Sequence, residues 1–212
     1  MSHLPIQILN PLTYAEYRNL VERLVLEKKA TGPEQTQERI VYTKLNLQRM
    51  KRGEKQFVLL PALGALLREH QPDWRWLVLV ESWCGDAAQT LPAIAAIAAA
   101  VPTLELVIVL RDQNPHLMDT CLTNGSRSIP KLICEDRETG ERLFTWGSRP
   151  ETIQQQFMAL KAEHPHLNKE ELMQHLHTWY AKDRAQSVQL DLLTLAEATL
   201  VAAVPVQLDW VI

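Results

Sequence analysis

The sequence predicts an α/β fold: a mixed sheet with helices on both faces and helical extensions at both ends. Three observations predict it. Residues 76–80 are a short, continuous apolar run between turn signals, as a strand buried on both faces requires, 104–110 reads as a second buried strand, and an Ala- and Ile-rich stretch separates them. Residues 131–134 and Arg142–Trp146 flank a charged turn containing Gly140, which predicts an antiparallel hairpin. Helical periodicity precedes the first run and follows the hairpin. The resulting order, β-α-β-α-β-β-α, makes a parallel pair joined by a helix and then a hairpin, with helices on both faces.

The elements are taken in chain order. Thr13 and Glu16 form a capping-box pattern ahead of Tyr17, Leu20, Val21, Leu24 and Val25, which share one helical face. Gly32-Pro33 is expected to end that helix. A second helix is predicted over 34–52, closed by Gly53, with a narrower apolar stripe around Ile40, Val41, Lys44, Leu45 and Leu47. A short third helix runs from Pro61 to His70, with proline tolerated in the first turn. Residues 84–100 form the next helix. Asn114-Pro115 opens another, which Asn124-Gly125 is expected to stop, and 150–163 follows the hairpin. Asn168 and Glu171 mark a cap before Leu172, Leu176, Trp179 and Tyr180. The Leu-rich tail, 190–208, reads as a packed helix, with Asp191, Glu197 and Pro205 interrupting its apolar character. The expected division is a helical extension over 1–72, a core over 73–163 and a second helical extension over 164–212.

Composition narrows the function classes. With 212 residues, 46% hydrophobic and 22% charged, the chain can bury a sizeable core. A net charge of −3 argues against nucleic acid or an anionic membrane as the main partner, since phosphate binding needs clustered cations. The first residues lack a basic start followed by an apolar run, so no secretory signal is expected. The most apolar stretch, 91–101, falls short of the ~20 residues that span a bilayer, and Pro92 interrupts it. Three cysteines do not make a disulfide scaffold. A reducing, cytoplasmic location is the expectation.

Cys84 is the candidate nucleophile. It follows a buried strand and opens a helix, where unpaired N–H groups and the helix dipole favour a thiolate. Asp86 complicates this. In the first turn it stabilises the helix by ~0.3–1 kcal/mol, yet its charge would raise the thiol pKa, and one unit is worth ~1.4 kcal/mol. The net sign at Cys84 stays open, and capping is the expected role of Asp86. Glu81 is expected to be a solvated or hydrogen-bonded strand end, and Trp83 an exposed aromatic beside the thiol. Cys134 and Cys121 read as structural, and Trp146 as a cover for the sheet. Arg127-Ser128 is either a solvated loop or a contact for a ligand carboxylate. His164, His166, His175 and His177 invite a metal. However, residues two apart on a helix point ~200° apart, and no cysteine joins them at finger-like spacing. No metal and no cofactor are expected.

Trp83-Cys84-Gly85-Asp86-Ala87 resembles the W-C-G-x-C loop of the thioredoxin superfamily except at its last position. Pro92 matches the proline of that family's active-site helix, and Ile129-Pro130 matches its cis-proline. With Thr145-Trp146-Gly147-Ser148-Arg149-Pro150, the pattern is similar to a bacterial thioredoxin-like branch carrying W-C-G-D-A and T-W-G-x-R-P. The resemblance implies a thioredoxin-like core over 74–160. It also implies a catalytic Cys84, and a substrate site of Trp83, Gly85, Asp86, Ile129 and Pro130, where the residue before the cis-proline offers backbone hydrogen bonds. Ala87 removes the resolving thiol. What remains is one-thiol exchange with a low-molecular-weight or protein thiol or disulfide, completed by an external thiol. The alternative is a non-catalytic binding module using the groove beside the cis-proline. Peroxidase chemistry is disfavoured by Glu81 where those relatives carry a hydroxyl residue. Iron–sulfur carriage is disfavoured because Asp86-Ala87 departs from C-G-F-S.

Overall fold

Four strands form one sheet in the order β2-β1-β3-β4: β1 (Trp74–Val80), β2 (Glu105–Leu110), β3 (Lys131–Asp136) and β4 (Arg142–Trp146). The computed structural model describes residues 7–202. β1 pairs parallel with β2 and antiparallel with β3, and β3 pairs antiparallel with β4. Every residue of β1 except Arg75 is buried, so both faces of the sheet are covered. Outside β2, Leu12 exchanges backbone hydrogen bonds with Ile108 at 2.9 and 2.7 Å, which covers part of an otherwise open edge. This is the thioredoxin-like α/β arrangement expected above.

α1 (Tyr14–Glu27) begins with the predicted capping box: Thr13 accepts from the Glu16 N–H, and the Glu16 carboxylate accepts from the Thr13 N–H at 2.8 Å. It stops at Glu27, before Gly32-Pro33, because Lys28 turns left-handed and its N–H bonds back to Leu24 and Val25. The freed residues carry Thr31 to the end of β1.

α2 (Gln37–Gln56) departs most from expectation. Its inward face is Thr43, Asn46 and Met50, while Val41 and Leu45 are exposed. The reason is the loop it covers. Thr43 Oγ1 lies 2.9 Å from Ser82 Oγ, Asn46 Nδ2 donates to the Ser82 carbonyl at 2.8 Å, and the Ser82 N–H donates to Thr31 Oγ1 at 2.8 Å. A buried loop needs such partners, and a purely apolar stripe would leave them unmade. Gly53 does not close the helix. It lies inside it, where a Cβ would stand 3.2 Å from the Pro92 ring, so glycine permits the close approach of α2 to the next long helix.

α3 (Pro61–His70) starts on proline as predicted. α4 (Gly85–Ala99) is buried on nearly all sides, which accounts for its Ala- and Ile-rich sequence. α5 (Pro115–Asp119) is only one turn long. It ends well before Asn124-Gly125, whose positive φ values build a separate tight turn closed by Thr123 and Ser126. α6 (Glu151–Glu163), α7 (Lys169–Asp183) and α8 (Gln186–Ala202) complete the chain, α7 with the predicted Asn168–Glu171 capping box. The part of the expected tail helix beyond 202, including Pro205 and Leu208, lies outside the described residues. Tyr17, Val21, Met50, Leu63 and Leu67 share one core with β1 and α4, and so do Val188, Leu192 and Ala196 of α8. Among the described residues no helix is long and apolar enough to cross a membrane.

Asn46→Leu should therefore cost ~1–3 kcal/mol in chemical denaturation, because it strands the Ser82 carbonyl. Val41→Lys, on the same helix but exposed, should stay within about 0.5 kcal/mol of the parent.

Candidate active-site cleft

Cys84 is the N-cap residue of α4. Its Sγ accepts weakly from the Ala87 N–H at 3.5 Å and donates to the Ile129 carbonyl at 3.2 Å. The residue is 8% exposed. Burial first, then the neighbouring Asp86 carboxylate, push the thiol up to about 12, against the pull of the Ala87 and Asp86 N–H groups. The sign left open by the sequence is thereby decided: at neutral pH Cys84 is a thiol. Ala87, where a resolving cysteine would stand, is also buried.

Asp86 does not cap α4 through its side chain, contrary to expectation, because both carboxylate oxygens are committed elsewhere. Arg149 Nε donates to Oδ2 at 3.0 Å and the Tyr180 hydroxyl to Oδ1 at 2.9 Å. The pair is well shielded, with side chains 13% and 19% exposed. Arg149 also bonds Gln154 and lies over the Phe157 ring at 4.5 Å. Burial raises the Asp86 carboxyl from its ordinary value, while Arg149, Tyr180 and Arg49 pull it back. The two motifs quoted from the sequence thus meet in space.

Gly147 sets the path of the second motif. Its φ is +114° and a Cβ there would strike the Pro130 carbonyl oxygen, so the chain between Trp146 and Arg149 passes directly over Pro130. The Ile129–Pro130 bond is cis, and both residues are buried.

A cleft of ≈ 420 Å³ opens on the other side of Cys84, between α2 and α7. Its lining includes Arg39, Tyr42, Trp83, Cys84, Gly85, Asp86, Leu176 and His177, but neither Ile129 nor Pro130. Four of the six predicted site residues therefore share this cleft, and the cis-proline pair lies behind the sulfur. Trp83 is half-buried rather than exposed, held between Arg39 at 4.3 Å and Arg111 at 5.0 Å. Glu81 is fully buried, not solvated, with Oε1 accepting from the Asp112 N–H at 2.8 Å; burial raises its carboxyl. Arg127 is committed to Asp119 through two bonds of 2.7 Å. Trp146 is buried and donates to Asp191 at 2.8 Å. Cys121 and Cys134 are buried free thiols.

His177, weighed in the sequence only as a metal ligand, lines the cleft instead. Its ring faces Gly85, where a Cβ would come within 2.8 Å of it, and Nδ1 lies 3.4 Å from Gln89 Nε2. Burial, then Arg49, Arg52 and Arg149, lower its pKa to about 4, so it is neutral at pH 7. The signal was the α7 cap: register from Asn168 puts Met173, Leu176, His177 and Tyr180 on one face. Among the described residues no three His, Cys, Asp or Glu side chains are grouped to hold a metal.

Two outcomes follow from this geometry. The His177 imidazole titrates near 6.5 when unfolded and near 4 when folded. Its contribution to stability is therefore present above pH 6.5 and lost as pH falls toward 4; His177→Gln should flatten that part of a denaturation-versus-pH curve. Arg149→Met should cost ~3–5 kcal/mol by leaving Asp86 buried without its cation, and adding Asp86→Asn should restore part of the loss.

A family model described as thioredoxin (Thioredoxin_9) matches residues 32–164, more than half the chain and including α2 and α3. No curated protein matches. Two solved structures are similar. One is the 1.5 Å crystal structure of PA1234, a protein of unknown function from Pseudomonas aeruginosa, at 19% identity and a TM-score of 0.57, covering 88% of this chain and 98% of that one. The other is an HIV 4E10 epitope scaffold, at 19% identity and a TM-score of 0.54, covering 88% and 99%. At this identity they speak to the fold alone. By the extent of the family match, the chain belongs to the thioredoxin family.

Proposed function

We propose that this chain is a binding module on the thioredoxin scaffold, of the bacterial one-thiol branch carrying W-C-G-D-A, working in a reducing cytoplasm. Its ligand enters the cleft between α2 and α7. The observation that carries this reading is the state of Cys84: a buried thiol that keeps its proton, donates it to the Ile129 carbonyl and still faces the cleft. A thiol near pKa 12 is ionised at pH 7 only on the order of one part in 10⁵. The higher intrinsic nucleophilicity of such a thiolate recovers only part of that deficit. Ala87 supplies no second thiol. The Ile129 carbonyl, which the family resemblance assigns to a substrate chain, is already occupied by Cys84.

One observation favours a second reading, one-thiol exchange: Cys84 is among the residues that line an open cleft. In that scheme the Cys84 thiolate attacks a disulfide RS–SR, forms Cys84–S–SR and releases RS⁻. An external thiol then attacks the mixed disulfide, regenerating Cys84 and leaving a new disulfide. Deprotonation of Cys84 would limit the rate.

The pH dependence of Cys84 alkylation in the native chain, read by peptide mass spectrometry, separates the two. The binding reading expects a rate below that of a free cysteine at pH 8, rising about tenfold per pH unit through pH 10 without a plateau. A plateau below pH 9, with disulfide turnover lost in Cys84→Ser, would establish exchange instead. Stability provides a parallel check. The Cys84 pKa moves from 9.0 to about 12 on folding, so this contribution is present below pH 9 and lost as pH rises toward 12.

A further inference from the structure

Most charges around the cleft are paired, and the half-buried exception is Arg49. Glu34 takes Arg39 at 2.9 Å, Asp86 takes Arg149 at 3.0 Å, and Glu38 takes Lys169 at 2.8 Å across the mouth between α2 and α7. Among the described residues, Arg49 has no carboxylate at ion-pairing distance. Its single hydrogen bond runs from Nη1 to Asn46 Oδ1 at 2.8 Å. Arg49 is half-buried against Gly85 and His177, so water compensates it only in part. Glu170, exposed on the first turn of α7, also has no ion pair among the described residues and lines the same hollow as Arg49.

Arg49 lines a second hollow of ≈ 620 Å³ along α2 that abuts the cleft, sharing with it Tyr42, Met173, His177 and the Glu38–Lys169 pair. The two hollows side by side make up the α2/α7 trough. Val41 and Leu45, 46% and 41% exposed, supply apolar wall on the α2 side, and Met173 faces them from α7. At the Cys84 end, Trp83 Nε1–H is buried without a partner. His177 adds no charge at neutral pH. The trough therefore combines apolar walls with one fork-shaped cation that has no ion pair of its own and only a share of the Asp86 charge already held by Arg149, while Glu170 stands exposed in the same lining. That matches a monoanion better than a phosphate dianion: Arg39 and Lys169 are already paired, and Arg52 lies outside the trough.

We propose that the α2/α7 trough binds a small monocarboxylate with an apolar body, its carboxylate on Arg49 and its body along Val41, Leu45 and Met173. The proposal rests on the binding reading given above and names the ligand class for it.

Calorimetric titration of the full chain with 2-naphthoate and its neutral isostere 2-naphthamide tests it. Saturable naphthoate binding is expected, with naphthamide weaker on the order of tenfold. Arg49→Gln should bring naphthoate down to the naphthamide level and leave naphthamide unchanged. Arg49→Lys should fall between, and serves in place of the first variant if that one does not fold. Equal affinities for the two probes, or no effect of either Arg49 substitution, overturn the carboxylate assignment. If that equal binding is abolished by Met173→Glu, the trough stands as a binding site without it. Absence of binding by both probes overturns the monocarboxylate assignment alone, since the binding reading itself stands or falls on the Cys84 alkylation profile.

Discussion

The contact between Asp86 and Arg149 organises everything around Cys84. It joins the first turn of α4 to the segment after β4, 63 residues further along, and Tyr180 adds α7 to the same carboxylate. Ion pairs this shielded add little net stability compared with an apolar filling, but they are costly to break. Their value lies in fixing a geometry. The side-chain cap of α4 comes from Cys84, the residue at the N-cap position, whose sulfur lies between the Ala87 amide and the Ile129 carbonyl. Burial does most to raise the thiol pKa, and the same negative charge adds to it. One residue thus helps both to build the site and to suppress its most obvious chemistry.

The opposite side of the loop is held by hydrogen bonds rather than charge. Residues 81–84 link a buried strand to a buried helix, and Glu81, Ser82 and Cys84 are themselves buried. Thr31, Thr43 and Asn46 come from the connection after α1 and from α2 to meet Ser82. Each bond contributes only ~0.5–1.5 kcal/mol net, whereas an unmade one costs more. This explains why a helix with polar residues on its inner face packs here. Because α2 and α7 are anchored independently, by Ser82 and by Asp86, the space between them stays open as a trough.

Much of the architecture was legible in local pattern. The capping boxes at Thr13 and Asn168, proline at the start of α3, the apolar runs of β1 and β2 and the hairpin around Gly140 all depend on neighbours close in sequence. The errors came where a local signal had another use. Gly53 marks close packing against Pro92 rather than a helix end, Asn124-Gly125 forms its own turn, and α1 stops on a left-handed lysine that carries no strong sequence mark. The candidate site was half legible. W-C-G-D-A and T-W-G-x-R-P were visible as separate strings, but nothing in either says that Asp86 of one binds Arg149 of the other. Nor could Val41 and Leu45 be recognised as the wall of an open trough, since an exposed apolar pair has the same spacing as a buried one.

By itself, the sequence determined the α/β order, the placement of a lone cysteine at the start of a helix, and the absence of a second thiol at Ala87. These follow from short-range periodicity, capping chemistry and residue identity. Only the tertiary structure decided the state of that cysteine and which side of it borders an open cleft. Burial and the field of Asp86 act through space, so the Cys84 proton depends on α2, α7 and the chain around Pro130. The same packing buries Ile129 and Pro130 behind the sulfur and leaves His177 and Arg49, far apart from Cys84 in the chain, to line the open side.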